Sequence, residues 1–158
     1  MRLERIHWFR CCVVLVGALM LAGQAARAQS NTRLLLSSGW GVPGRAGYVF
    51  GPITDLAMNE AKEIIFLTSL RGAKREMRAI IRSSGVTFSV VAFEGLRSPV
   101  PHATYESFSA PSMNSASVIA FTATLKNDVP GAAVVRIEGG MAQAVAKTGG
   151  EVPGSPGA

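Results

Sequence analysis

Asn59–Leu70, NEAKEIIFLTSL, and Asn114–Leu125, NSASVIAFTATL, are one unit written twice, and the second writing decides the fold. Alone, Asp55 to Leu70 reads as a helix, because Leu, Ala, Met, Glu and Lys are good helix formers. Lys74 to Arg82 reads the same way. The second copy does not. Val118 to Leu125 is rich in β-branched residues and Phe, and Ala132 to Gly140 ends in a Gly-Gly turn followed by MAQAVA. These are short strands bounded by turns. Two copies of one unit share one structure, so both read as β.

The match runs well beyond the quoted stretch. At an offset of 55, Met58 pairs with Met113, Ala61 with Ala116, Ile64 with Ile119, Phe66 with Phe121, Gly85 with Gly140 and Val90 with Val145. Val42-Pro43-Gly44 returns as Val152-Pro153-Gly154, with Pro99 marking the middle copy. A period of this length signals a repeat architecture. Each unit is expected to hold four strands. In the first they lie near Ile53–Met58, Glu63–Leu70, Met77–Ser83 and Val86–Phe93. In the second they lie near Phe108–Met113, Val118–Leu125, Ala132–Glu138 and Met141–Ala146. Short links favour antiparallel neighbours. Asn59 and Asn114 open the first hairpin, where an Asx side chain bonds the backbone ahead. Gly85 and Gly140 sit at the third turn, where positive φ costs least. Leu34–Ser37 lines up with the last strand of each unit and is expected as an orphan strand.

Ile119, Phe121, Ala123 and Leu125 point one way on their strand, and the small or apolar Val118, Ala120, Thr122 and Thr124 point the other. A strand without a polar face wants cover on both sides, as in a sheet stacked between two others. Four-stranded units of this size fit propeller blades. The expected fold is all-β, with two four-stranded antiparallel blade-like repeats forming an incomplete β-propeller. Residues 45–98 make the first repeat, 99–154 the second, 29–44 an orphan strand and linker, and 155–158 a tail.

FSAPSMNSASVIAFTATL, followed by GAAVVRIEGGMAQAVAKTGGEVPG, resembles the repeat of a bacterial family of secreted β-propeller-like proteins of unknown function. That repeat reads as an apolar strand, Asn-Asp-x-Gly-x-Val-x-Phe, a Gly-rich link, a strand, Gly-Gly, a strand and a Gly/Pro-rich tail. The likeness covers most of Gly39 to Gly154. The Asp of the motif is Glu60 and Ser115, and its Gly is Lys62 and Ser117, so the turn chemistry departs from the pattern. The resemblance implies location and fold, not an activity. Propellers close with four or more blades. Two therefore imply either assembly of chains or a shortened member of a longer protein, and the second is the expectation adopted.

The N-terminus carries Arg2, Arg5 and Arg10, then an apolar run of 12 residues from Cys11 to Ala22, then Ala26-Arg27-Ala28 before Gln29. That is the order of a secretory signal peptide, residues 1–28, with Ala26 and Ala28 as the small residues signal peptidase requires. The run is too short for a membrane anchor, which needs about 20 residues. Its removal takes both cysteines and leaves 12 basic against 9 acidic residues, a charge of +3. No disulfide is then expected, no stable membrane span, and no nucleic-acid partner.

Chemistry is sparse. His102, in the Pro-rich Ser98–His102, would be the mature chain's lone histidine, and an exposed loop position is its expected role. There is no Gly-x-Ser-x-Gly elbow, paired-His zinc motif or acidic calcium loop. No catalytic, cofactor-binding or metal residue is assigned. Arg75, Arg78 and Arg82, with Lys74, form a basic cluster that fits an anionic glycan or surface phosphate, or simply guards a sheet edge. Trp40 and Tyr48 suit a sugar-stacking platform or packing on the sheet. The functional expectation is an exported, non-enzymatic interaction module, periplasmic or extracellular. Its expected partner is a protein or glycan, or a second copy meeting its exposed blade faces. The alternative is an exported hydrolase whose active site the sequence does not identify.

Overall fold

The computed structural model describes residues 34–126 and 131–150. The signal segment with Ala26, Ala28 and Gln29, and the Val152-Pro153-Gly154 recurrence, lie outside the described residues. The described chain is all-β and forms two antiparallel sheets. The first contains β1 (Tyr48–Met58), β2 (Glu63–Gly72), β3 (Glu76–Ser84) and β4 (Thr87–Phe93), side by side in chain order. The second contains β5 (Thr104–Phe108), β6 (Ser112–Met113), β7 (Ile119–Lys126), β8 (Gly131–Glu138) and β9 (Met141–Lys147). Its order is β5-β7-β8-β9, and β6 also pairs with β7. The helix-forming composition of β2 and β3 is overridden, because their apolar residues have cover on both faces of a sheet.

The repeat holds at the level of register. Ile53 faces Thr68 and Met58 faces Ile64, just as Phe108 faces Ala123 and Met113 faces Ile119. The first strand of the second repeat is split where Pro111, lacking an N–H, interrupts the ladder between β5 and β6. β1 crosses the same region unbroken, with irregularities before Ile53 and Leu56 and with Asp55 at φ 44°.

Beyond β7 the equivalence slips by one residue. Leu70 faces Met77, but Leu125 faces Gly131, so the link from second to third strand is one residue shorter in the second repeat. Gly85 therefore corresponds to Gly139, and Val90 to Ala144, correcting the matches to Gly140 and Val145. A bulge sits at the same place in both copies, between Ile80 and Ile81 and between Val134 and Val135.

The expected orphan strand, Leu34–Ser37, has no strand pairing among the described residues. Leu36 instead packs on the first sheet. The links before the two sheets are built alike. Gly39 N–H donates to Phe50 O at 2.7 Å, and Gly95 N–H to Tyr105 O at 2.8 Å. His102, at φ 60°, stands in the second link where Gly47, at φ 80°, stands in the first.

Two cores result, and they stack the sheets head to tail. One face of each sheet, here the leading face, carries Phe66, Leu70 and Ile81 in the first repeat and Phe121, Leu125 and Val135 in the second. The opposite, trailing face carries Ile65, Leu67, Ile80 and Ala92 in the first. Its equivalents in the second are Ala120, Thr122, Val134 and Ala146. The trailing face of the first sheet packs against the leading face of the second. Tyr105, Phe108 and Phe121 cluster there, with ring centroids 5.2–5.9 Å apart. Full burial of each such ring stabilises by about 1.5–3 kcal/mol. Val42 and Leu36 pack on the leading face of the first sheet, and Arg45 stacks on Phe93, 3.6 Å from the ring centre.

Candidate functional site

A depression of about 330 Å³ opens on the first sheet across β1, β2 and β3. Leu67 and Thr68 form its floor, Pro52 and Thr54 one side, and Ser69, Glu76, Arg78 and Glu94 its polar rim. Gly51 makes room for this rim, since a Cβ there would lie 2.0 Å from the Ser69 hydroxyl. Glu76 is held below the ordinary carboxylate range, first by the Ser69 hydroxyl and then by Arg71, whose Nε is 3.5 Å from it. Its carboxylate is therefore ionised at neutral pH, where it can accept hydrogen bonds or attract a cation and has no proton to donate.

The second sheet repeats this depression without carboxylates. About 230 Å³ opens over Thr122, Ala132, Val134 and Ala146, with Lys147 and Thr148 on the rim. By register, Thr122 takes the place of Leu67, Ala132 that of Arg78, and Thr148 that of Glu94. The Thr148 hydroxyl turns back to accept from Ala132 N–H at 3.0 Å.

A separate polar node ties the repeats together at their first hairpins. Each Asn opens its turn identically: Glu63 N–H donates to Asn59 Oδ1, and Val118 N–H to Asn114 Oδ1, both at 2.9 Å. Lys62 and Ser117 close the turns at φ 61° and 62°. The left-handed turn is thus kept without the glycine of the resembled motif. Asn59 Nδ2 reaches the other repeat, donating to Asn114 O at 3.3 Å. Glu63 accepts from Arg82, Ser117 and Asn59. Those three bonds, the Arg82 one foremost, hold its carboxyl down at about 2.

The members of the basic cluster have different surroundings. Arg82 lies 2.5 Å from Glu63 and is consumed by that pair. Arg78 sits on the depression rim with two carboxylates, Glu76 and Glu94. Arg75 lies in the turn before β3 with its guanidinium over Gly95 and 3.9 Å from Met77 Sδ. His102 is exposed in its turn. Tyr48 packs its ring onto Gly72, where an added Cβ would lie 2.7 Å from it, while Trp40 is 47% exposed.

Sequence reasoning passed over Glu63 and Glu76. Glu63 opens β2 directly after the Asn turn, and a charge at that buried edge was the signal for a structural pair. Tyr105 is pushed up to about 12 by burial. Among the described residues, no cluster of three or more His, Cys, Asp or Glu is placed to hold a metal. Nor, among them, is any helix long and apolar enough to cross a membrane.

Residues 16–152 match the model of a family described as a family of unknown function (DUF7453), and the chain belongs to that family. No curated protein and no solved structure matches it.

Proposed function

We propose that this member of the family is an exported, non-enzymatic interaction module, built from two propeller-like blades and acting in the periplasm or outside the cell. The observation that carries the reading is the head-to-tail stack, in which the same trailing face is covered in the first sheet and open in the second. Stacked repeats bind through the surfaces their stacking leaves free. The groups with displaced ionisation favour binding over catalysis. Glu63 and Glu76 are held ionised, and Tyr105 is held neutral by burial, so none of the three is poised to exchange a proton near pH 7. The N-terminal Arg residues, apolar run and Ala26-Arg27-Ala28 support export.

The test is expression of the full-length chain in a bacterium, with cell fractionation and mass spectrometry of the N-terminus. The expected product is exported and begins at Gln29. Full-length protein retained in the cytoplasm overturns the export. Ester, glycoside or peptide hydrolysis that is lost in His102→Ala would replace the module with a hydrolase.

A further inference from the structure

The geometry points to a second copy of this chain as the partner, stacked head to tail, its first sheet's leading face on this chain's open trailing face. This rests on the module reading above and names the partner for its free face. The template is the interface inside the chain. There the first sheet's trailing face receives the second sheet's leading face, with Phe108 only 5% exposed and Met113 half-buried in the shared core. The residues 55 positions earlier, at the β1 edge of the first sheet's leading face, are exposed: Ile53 is 39% exposed and Met58 62%, with Leu56 between them at 61%, while Phe66, Leu70 and Ile81 at the centre of that face are buried within the chain. At the other end of the stack Val134 is 41% exposed, although its counterpart Ile80 is fully buried. The β1 edge of the leading face and Val134 on the trailing face are thus exposed positions whose counterparts are covered where the chain's own two sheets meet.

A docking copy shares the leading face with the link residues. Val42 and Leu36 pack on the first sheet's leading face, and Val100 and Leu96 lie in the core between the sheets within the chain. The hairpin contact can repeat as well. Asn59 Nδ2 donates to Asn114 O within the chain, and the exposed Asn114 side chain stands in the same relation to Asn59 O of a second copy. Such a contact is heterologous: repeated, it closes into a ring or runs on as a filament.

The test uses full-length protein as purified after expression, its mass measured by light scattering at micromolar concentration. Wild type is expected to form oligomers. Leu56→Asp blocks the leading end and Val134→Asp the trailing end. Each is expected to weaken association about a hundredfold or more and yield monomers. Both positions are exposed, and an unchanged thermal melt checks that each variant folds. Mixing the two variants leaves one good end of each, so a 1:1 heterodimer is expected and nothing larger. Monomeric wild type, an oligomer indifferent to both substitutions, or a mixture that stays monomeric overturns the stacking. An exported monomer that still binds an envelope protein or glycan would overturn the stacking alone and leave the module reading intact.

Discussion

The two sheets share a register and differ in what covers them. In β2 of the first sheet, Ile65, Phe66, Leu67 and Thr68 are buried in succession. In β7 of the second, burial alternates residue by residue, with Thr122 and Thr124 outward. The same backbone therefore carries a two-sided strand in the middle of the stack and a one-sided strand at its end. Side-chain choice follows the neighbour: Ile65, Leu67 and Ile80 between sheets become Ala120, Thr122 and Val134 where no described sheet follows. The repeat fixes where a residue points, and stacking position decides how large and apolar it must be.

Exchanging residues between the copies breaks this comparison most directly. Leu67→Thr places the second sheet's residue in the covered face, leaving a cavity and a buried hydroxyl. It is expected to cost about 2–4 kcal/mol in urea unfolding. The reverse exchange, Thr122→Leu, is expected to stay within about 0.5 kcal/mol in the monomer. Equal costs would show that the two trailing faces are covered alike.

The two hairpin asparagines come next. Asn59 is buried and bonds Glu63 and the second repeat, whereas Asn114 is exposed. Asn59→Ala is expected to cost about 1–3 kcal/mol, and Asn114→Ala about 1 kcal/mol or less. Urea midpoints of the two variants check the order.

The node also sets an acid response that only the first repeat has, since Val118 stands where Glu63 does. The folded Glu63 carboxyl titrates at about 2 against an ordinary 4.5. Its contribution is therefore complete above pH 4.5 and is lost as pH falls from there towards 2. Urea midpoints across that window should fall in wild type and flatten in Glu63→Gln. An unchanged slope would remove Glu63 from the acid response.

The smallest effect concerns the left-handed positions. Lys62→Gly is expected to stabilise by about 0.5–1 kcal/mol, because glycine adopts that φ without the Cβ clash. Ser117→Gly should gain less, since Ser117 also donates to Glu63. Equal gains in thermal melts would mean that this bond contributes nothing.

Much of the fold was legible because strand and turn signals are local. The Asn turns, the Gly turns and the alternation in Val118–Leu125 placed the last three strands of each repeat close to where they occur, whereas the first strand begins earlier than expected in both, at Tyr48 and at Thr104. The split at Pro111 and the deletion after β7 were harder to read. Matching Gly85 to Gly140 looked sound in a Gly-Gly pair, and only the hydrogen-bond register assigns Gly139 to that role. The candidate site was less legible still. Arg78 and Arg82 do share a strand face, but the carboxylates near them come from other segments: Glu63, paired with Arg82, opens β2, and Glu94, beside the same depression as Arg78, follows β4.

By itself the sequence determined the repeat, the strand identity of its parts and the turn types, because each depends on residues close along the chain. Tertiary structure alone decided which face of each sheet is covered, that the stack runs head to tail, and that Arg82 is spent on Glu63. Those outcomes depend on which distant surfaces meet, and burial and ion pairing are properties of the meeting rather than of either strand.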